Sequence, residues 1–147
     1  MSKRLLLDTN ILLDVAMEER PEHAYALMLM EEFAYGDAQG YIASLSVKDV
    51  YYVLSKYASE QPAREYVLAL MELLDVVGVD SAICKTAVTS DEPDLEDGIV
   101  RACAESLPVD YIISRDATAF ERSTIKRYTP QEYLRSFCEL EDVEVTA

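Results

Sequence analysis

Short apolar runs alternate along this chain with longer stretches of helical periodicity, and that order permits few folds. Residues 4–8 (RLLLD), 40–43 (GYIA), 75–79 (DVVGV), 111–114 (YIIS) and 126–128 (KRY) are expected as strands. Helical patterns fill 21–35, 46–58, 62–74 and two segments between Asp80 and Leu107. In 46–58 the apolar residues Val47, Val50, Tyr51, Leu54, Tyr57 and Ala58 follow the spacing of one helix face. TPQE, residues 129–132, sets Pro in a first turn and Glu three residues after Thr, which starts a last helix. Strands that alternate with helices pair in parallel, and the crossover helices cover both faces of the sheet. The expected fold is therefore α/β, a three-layer α/β/α sandwich around a mainly parallel sheet of four to five strands. The 147 residues suit one domain over 1–138, followed by an acidic C-terminal tail, 139–147.

Composition excludes several function classes. Cys84, Cys103 and Cys138 are odd in number and widely spaced, so neither a disulfide framework nor a thiolate zinc site is expected. His23 is the only histidine, which removes mechanisms built on a Ser–His–Asp triad or paired histidines. No apolar run approaches the roughly 18 residues of a membrane span, and no cleavable leader is visible; a cytoplasmic protein without a membrane partner is expected. Thirteen Lys and Arg against 28 Asp and Glu give a net charge of −15. That field repels polyanions, so a nucleic-acid site on this chain has to be local.

The carboxylates are not scattered at random over the expected fold. Asp8 closes the first strand, and Asp116 lies two residues past the fourth. Asp49 stands in the first turn of the helix after the second strand. The helix from Asp94 to Ser106 is followed by only Leu107 and Pro108 before the next strand, so it ends near the amino edge of the sheet. Its length, about 20 Å, carries its start, with Asp94 and Asp97, back to the carboxyl edge. Ligands of open parallel sheets bind at that edge. Two carboxylates about 4 Å apart repel by about 4 kcal/mol at an effective dielectric of 20, so four together call for a cation. Hard oxygen ligands select Mg²⁺ or Mn²⁺, and such a site suits water activation and displacement at phosphorus.

Each residue also has an ordinary structural reading. The pairs Ser46–Asp49 and Asp94–Asp97 have the spacing of helix caps, and Asp8 and Asp116 could each close a turn. Convergence on one edge is what capping alone does not predict.

LLLDTNILLDV, SLSVKDVYYVL, DLEDGIVRACAES and DYIISRDATAF, in that order, resemble the four motif regions of PIN-domain proteins, metal-dependent ribonucleases that include the VapC-type toxins. The similarity spans Lys3 to about Leu134. It implies a catalytic tetrad of Asp8, Asp49, Asp97 and Asp116, with Asp8, Asp97 and Asp116 as metal ligands. Asn10, Ser114 and Asp94 would be supporting polar groups, and Asp14 stands one helical turn beyond Asn10. The chain departs from the pattern at three places. Asp49 stands where Glu is usual, Gly98 where Ala is expected, and Ala119 where an acidic residue often precedes the Phe.

The resemblance also implies an RNA substrate and an antitoxin partner. Five basic residues between Arg115 and Arg135 adjoin the fourth motif, and Arg115, Arg122, Lys126 and Arg127 are the expected RNA contacts there; Tyr51 and Tyr52 are further stacking candidates. AYALMLM (24–30) is apolar almost all round, which implies deep burial or an interface, and a homodimer is expected. Two other classes compete with the nuclease reading: a PIN-like binding or scaffold module without turnover, and phosphotransfer through an aspartate, for which the end of the third strand offers only Asp80.

Overall fold

The computed structural model describes residues 2–138. The expected tail, 139–147, lies outside them. The elements run β1 (Lys3–Leu7), α1 (Thr9–Ala16), α2 (His23–Ala34), β2 (Ala38–Ala43), α3 (Ser44–Tyr57) and α4 (Glu60–Leu73). They continue with β3 (Asp75–Val77), α5 (Ser81–Val88), α6 (Leu95–Ser106), β4 (Tyr111–Ile113), β5 (Lys126–Tyr128) and α7 (Pro130–Phe137). All four strand pairings are parallel, in the order β3-β2-β1-β4-β5.

The pleat of β1 divides the core. Leu5 and Leu7 face the helices α1 to α4 and α7, together with Ile42 and Ile113. Leu6 faces α5 and α6, together with Ala43 and Ile112. All three leucines are fully buried, as the continuous apolar run of a central parallel strand requires. The chain leaves β1 for β2 and β3 on one side and returns to β4 on the other. The order in which strands are added therefore reverses between β1 and β4, and a crevice opens at their carboxyl ends.

Several boundaries differ from the sequence reading, each for a local reason. The short α1 was not among the expected elements, because its eight residues hold one apolar triplet, Ile11 to Leu13, too little to display a helical period; Asp8, the residue expected to end the strand, is its N-cap. Helix α3 begins at Ser44, two residues early, which moves Asp49 from the first turn to the second and leaves Ser46 inside the helix. Helix α2 is apolar on more than the face it buries: Ala26, Leu29, Met30 and Phe33 are buried, while Leu27 and the C-cap Tyr35 are exposed. At Gly98 α6 passes close to α5, since a Cβ there would stand 3.3 Å from the Ala87 carbonyl oxygen. The start of α7 is as read, with Thr129 and Glu132 forming a reciprocal capping box.

Candidate active site

A cleft of about 510 Å³ opens at the carboxyl edge, and Asp8, Asn10, Asp49, Asp97 and Asp116 all line it. Each carboxylate arrives by a different element. Asp8 follows β1 directly, and its backbone N–H bonds to the Ile113 carbonyl at the end of β4, which locks the two strand ends together. Its Oδ1 accepts from the Thr9 N–H at 2.8 Å and its Oδ2 from the Ser114 hydroxyl at 2.9 Å. Burial pushes the Asp8 carboxyl above the usual range, against these two hydrogen bonds. Ser114 is fully buried and also accepts from the Asp116 N–H, so one hydroxyl ties both carboxylate-bearing segments.

Asp116 is exposed. Its Oδ1 accepts from the Thr118 N–H, the Thr118 hydroxyl and the Ala119 N–H, an Asx-type turn that holds its carboxyl below the ordinary value. Asp94 caps α6 by accepting from the Asp97 N–H, so the two residues divide the roles that their spacing left open. Asp97 is the most perturbed group of the cleft. Burial first, then the charges of Asp8, Asp94, Asp116 and Glu92, push its carboxyl up to about 7. Asp8, Asp97 and Asp116 form no ion pair with a basic side chain among the described residues. Asp49 does, with Lys48 at 3.5 Å, and its side chain is 41% exposed.

The acidic groups share a cleft without closing into a tight cage. Among the described residues, no three Asp, Glu, His or Cys side chains are grouped as they would be around a metal ion. Asp80, the residue a phosphotransfer site would need, is the N-cap of α5, with its carboxylate on the Ile83 N–H.

Two groups near the cleft were not legible as site components. Glu92 has a side chain only 1% exposed; its Oε2 accepts from the Phe120 N–H, and its Oε1 faces Arg101 at 3.5 Å. Phe120 has φ of 67°, a left-handed conformation that costs a bulky residue about 1–3 kcal/mol, so this bond pins a strained turn four residues beyond Asp116. Nothing in the spacing of Glu92 signals it. Asp14 is the other group. It lies fully buried in α1, outside the cleft lining, gripped by Arg115 (Nε to Oδ2 at 2.6 Å, Nη2 to Oδ1 at 3.1 Å) and by Arg20 at 3.3 Å.

The basic stretch is consequently less open than its sequence suggests. Arg115 is committed to Asp14, and Arg127 donates to the Ser114 carbonyl at 2.9 Å. Lys126 lies against the Tyr128 ring, and Arg122 is exposed.

A PIN domain family model matches residues 4–118, from β1 through the Asp116 turn. The chain belongs to the PIN domain family. No curated protein sequence matches it. Solved structures with the same PIN fold include a toxin–antitoxin complex from Klebsiella pneumoniae, with a TM-score of 0.66, 23% identity, and coverage of 86% of this chain and 97% of that one. DNA-bound VapBC from Salmonella typhimurium matches with a TM-score of 0.64 and 20% identity over 88% and 99% of the two chains. Mycobacterium tuberculosis VapC20, described as a sarcin-ricin-loop-cleaving toxin, matches at 0.63 and 12% identity over 78% and 91%. The fold of this PIN domain thus recurs in these solved structures. Among the described residues, no helix is long and apolar enough to cross a membrane.

Proposed function

We propose that this PIN domain is a divalent-metal-dependent endoribonuclease that hydrolyses RNA phosphodiester bonds as the toxin of a toxin–antitoxin pair. PIN domains are in general nucleases, and the observation that carries the reading here is the uncompensated state of the cleft. Asp8 and Asp97 are buried enough to have raised carboxyl values, and neither has a basic partner among the described residues. An all-oxygen donor set of this charge fits Mg²⁺ or Mn²⁺ in kind. Asp8, Asp97 and Asp116 would hold the ion, which when bound supplies charge stabilisation at phosphorus and lowers the pKa of a water.

The chain's own groups set the stage for that chemistry. Ser114 fixes Asp8 and Asp116 relative to each other, and the Asx turn leaves Asp116 Oδ2 free of the Thr118 and Ala119 bonds. Asp94 holds the first turn of α6 and with it the Cα of Asp97. Asp97, titrating near neutrality, can take or return a proton at its carboxylate until a cation displaces it. Asn10 supplies a neutral polar group on the cleft wall.

In this reading the protein works in the cytoplasm, pairs with a second copy through exposed apolar residues such as Leu68 and Met71 of α4, and is held in check by an antitoxin over the cleft. A module that binds without turnover is the second reading, favoured by the open spacing of the acidic groups and by the Lys48–Asp49 pair. Purified protein on a mixed RNA pool separates the two: cleavage in Mn²⁺ that EDTA abolishes supports the nuclease, and intact RNA in Mn²⁺ leaves only the binding module.

A further inference from the structure

We infer that one face of α3 is a binding platform for single-stranded RNA, in which the Tyr52 ring stacks on a nucleobase and Lys48 and Lys56 meet the phosphates on either side. This rests on the RNA reading of the cleft and names how that RNA is held. Lys48, Tyr52 and Lys56 are four residues apart in turn, so they form a continuous stripe along the helix, about 12 Å from end to end. The first two line the acidic cleft, and the third extends the stripe beyond its rim. The chain has only five lysines in a net charge of −15, and two of them flank this ring.

Tyr51 and Tyr52 differ in the way such a platform requires. Tyr51 packs against the core, and its hydroxyl is engaged by Glu60 at 2.9 Å. Tyr52 remains 58% exposed, although the Lys56 ammonium lies 4.1 Å from its ring centroid and donates to its hydroxyl, so its far ring face stays open. A large ring held by a cation at the mouth of a cleft offers a π-face at little entropic cost, since the neighbouring lysine already restricts it. Lys48 is 74% exposed, and among the described residues its one ion pair is with the half-exposed Asp49 on the same helix, so solvent and a phosphate can reach its ammonium. A duplex has its bases stacked on one another and cannot offer one to Tyr52, so the platform selects single strands.

The chain contains no tryptophan, so Tyr52→Trp places the sole indole on the stripe. The probe is a single-stranded oligoribonucleotide about ten nucleotides long, titrated in EDTA at low salt, with binding also followed by anisotropy of a labelled strand. Stacking should quench the indole to saturation, and the same sequence as a duplex should quench it far less. Tyr52→Ala should weaken binding by about 5- to 150-fold, with Tyr52→Phe close to wild type. Lys48→Ala and Lys56→Ala should each reduce the slope of log K against log salt by about 0.7. With Mn²⁺, Tyr52→Ala should raise KM while kcat stays within about twofold, the pattern of lost uniform binding. Binding of the strand by wild type and by Tyr52→Trp with no quenching of the introduced indole, or unchanged affinity in Tyr52→Ala, overturns the platform and leaves the nuclease reading standing. A wild type that neither binds nor cleaves RNA overturns both.

Discussion

Asp14 is fully buried and Asp97 half-buried near the same sheet edge, and the fold treats the two carboxylates in opposite ways. Asp14 has two arginines on its two oxygens, and the arginine from beyond β4 reaches it across 101 residues of sequence. Asp97 has no cation and three aspartates and a glutamate for neighbours. The first is a finished ion cluster that fastens α1 to the Asp116 segment; the second is a charge left open. The fold neutralises the buried carboxylate completely and leaves the half-buried one crowded by its own sign, which is the contrast that the proposed metal site rests on.

The largest test breaks the finished cluster. Asp14→Ala strips Arg115 and Arg20 of their shared partner and should destabilise the fold by about 3–5 kcal/mol, the usual cost of stranding one side of a buried pair. Denaturant unfolding should show the same loss in EDTA and in Mg²⁺, because no cation can substitute for a carboxylate between two arginines. A variant rescued by Mg²⁺ would erase the distinction between the two regions.

Divalent metal is the next largest effect, and it should act on the open region alone. At a hundredfold excess over Kd, Mg²⁺ or Mn²⁺ should add about 2.7 kcal/mol to the stability of wild type. The effect should shrink as pH falls through about 7, where Asp97 takes up a proton in competition with the metal. In EDTA the dependence has the opposite origin. Because the folded carboxyl titrates near 7 and the unfolded one near 4, the native state binds the extra proton between those values, so metal-free stability declines as pH rises from about 4 to about 7 and is level above it. Melting curves at several pH values, with and without metal, resolve both trends.

Removing the open charge itself gives a smaller change of opposite sign. In EDTA at pH 8, Asp97→Asn should be more stable than wild type by about 1 kcal/mol, once the full shift is discounted for the solvent that reaches the cleft. The variant should lose RNA cleavage, as should Asp8→Asn. Were Asp97 only a first-turn carboxylate facing the α6 dipole, the same change would instead cost a few tenths to about 1 kcal/mol in both buffers.

The contrast also shows what a sequence carries and what it withholds. The alternating pattern predicted the strands and the parallel sheet, because period and apolarity are local properties. The placement of Asp8, Asp97 and Asp116 at one edge followed from chain direction and helix length. The partners were not legible in the same way. Arg115 reads as a surface base beside the fourth motif, and only the packing of α1 reveals that Asp14 claims it. Glu92 and the strained Phe120 turn are joined across 28 residues by a bond that no spacing encodes. Helix α1 escaped because eight residues, with a single apolar triplet, span too few turns for a period to show.

Asp49 lies between the two treatments and should give the smallest response. It is half exposed in the second turn of α3, with a lysine on the adjacent residue, so its charge is already screened by water and by Lys48. Asp49→Asn should therefore change stability by less than about 0.5 kcal/mol in EDTA, the range of an exposed ion pair. Its effect on cleavage separates two positions for the carboxylate. If Asp49 takes part only through the field of the cleft, Asp49→Asn should lower kcat far less than Asp8→Asn does. In that case Asp49→Glu, which lengthens the side chain by one methylene toward the cleft, should hold or raise the wild-type rate. If Asp49 must reach the metal directly, Asp49→Asn should match Asp8→Asn in activity while still sparing stability. Parallel kinetics and unfolding of Asp49→Asn, Asp49→Glu and Asp8→Asn decide between them. An Asp49→Asn variant destabilised as strongly as Asp14→Ala would instead assign the Lys48–Asp49 pair to the fold and take Asp49 out of the open group.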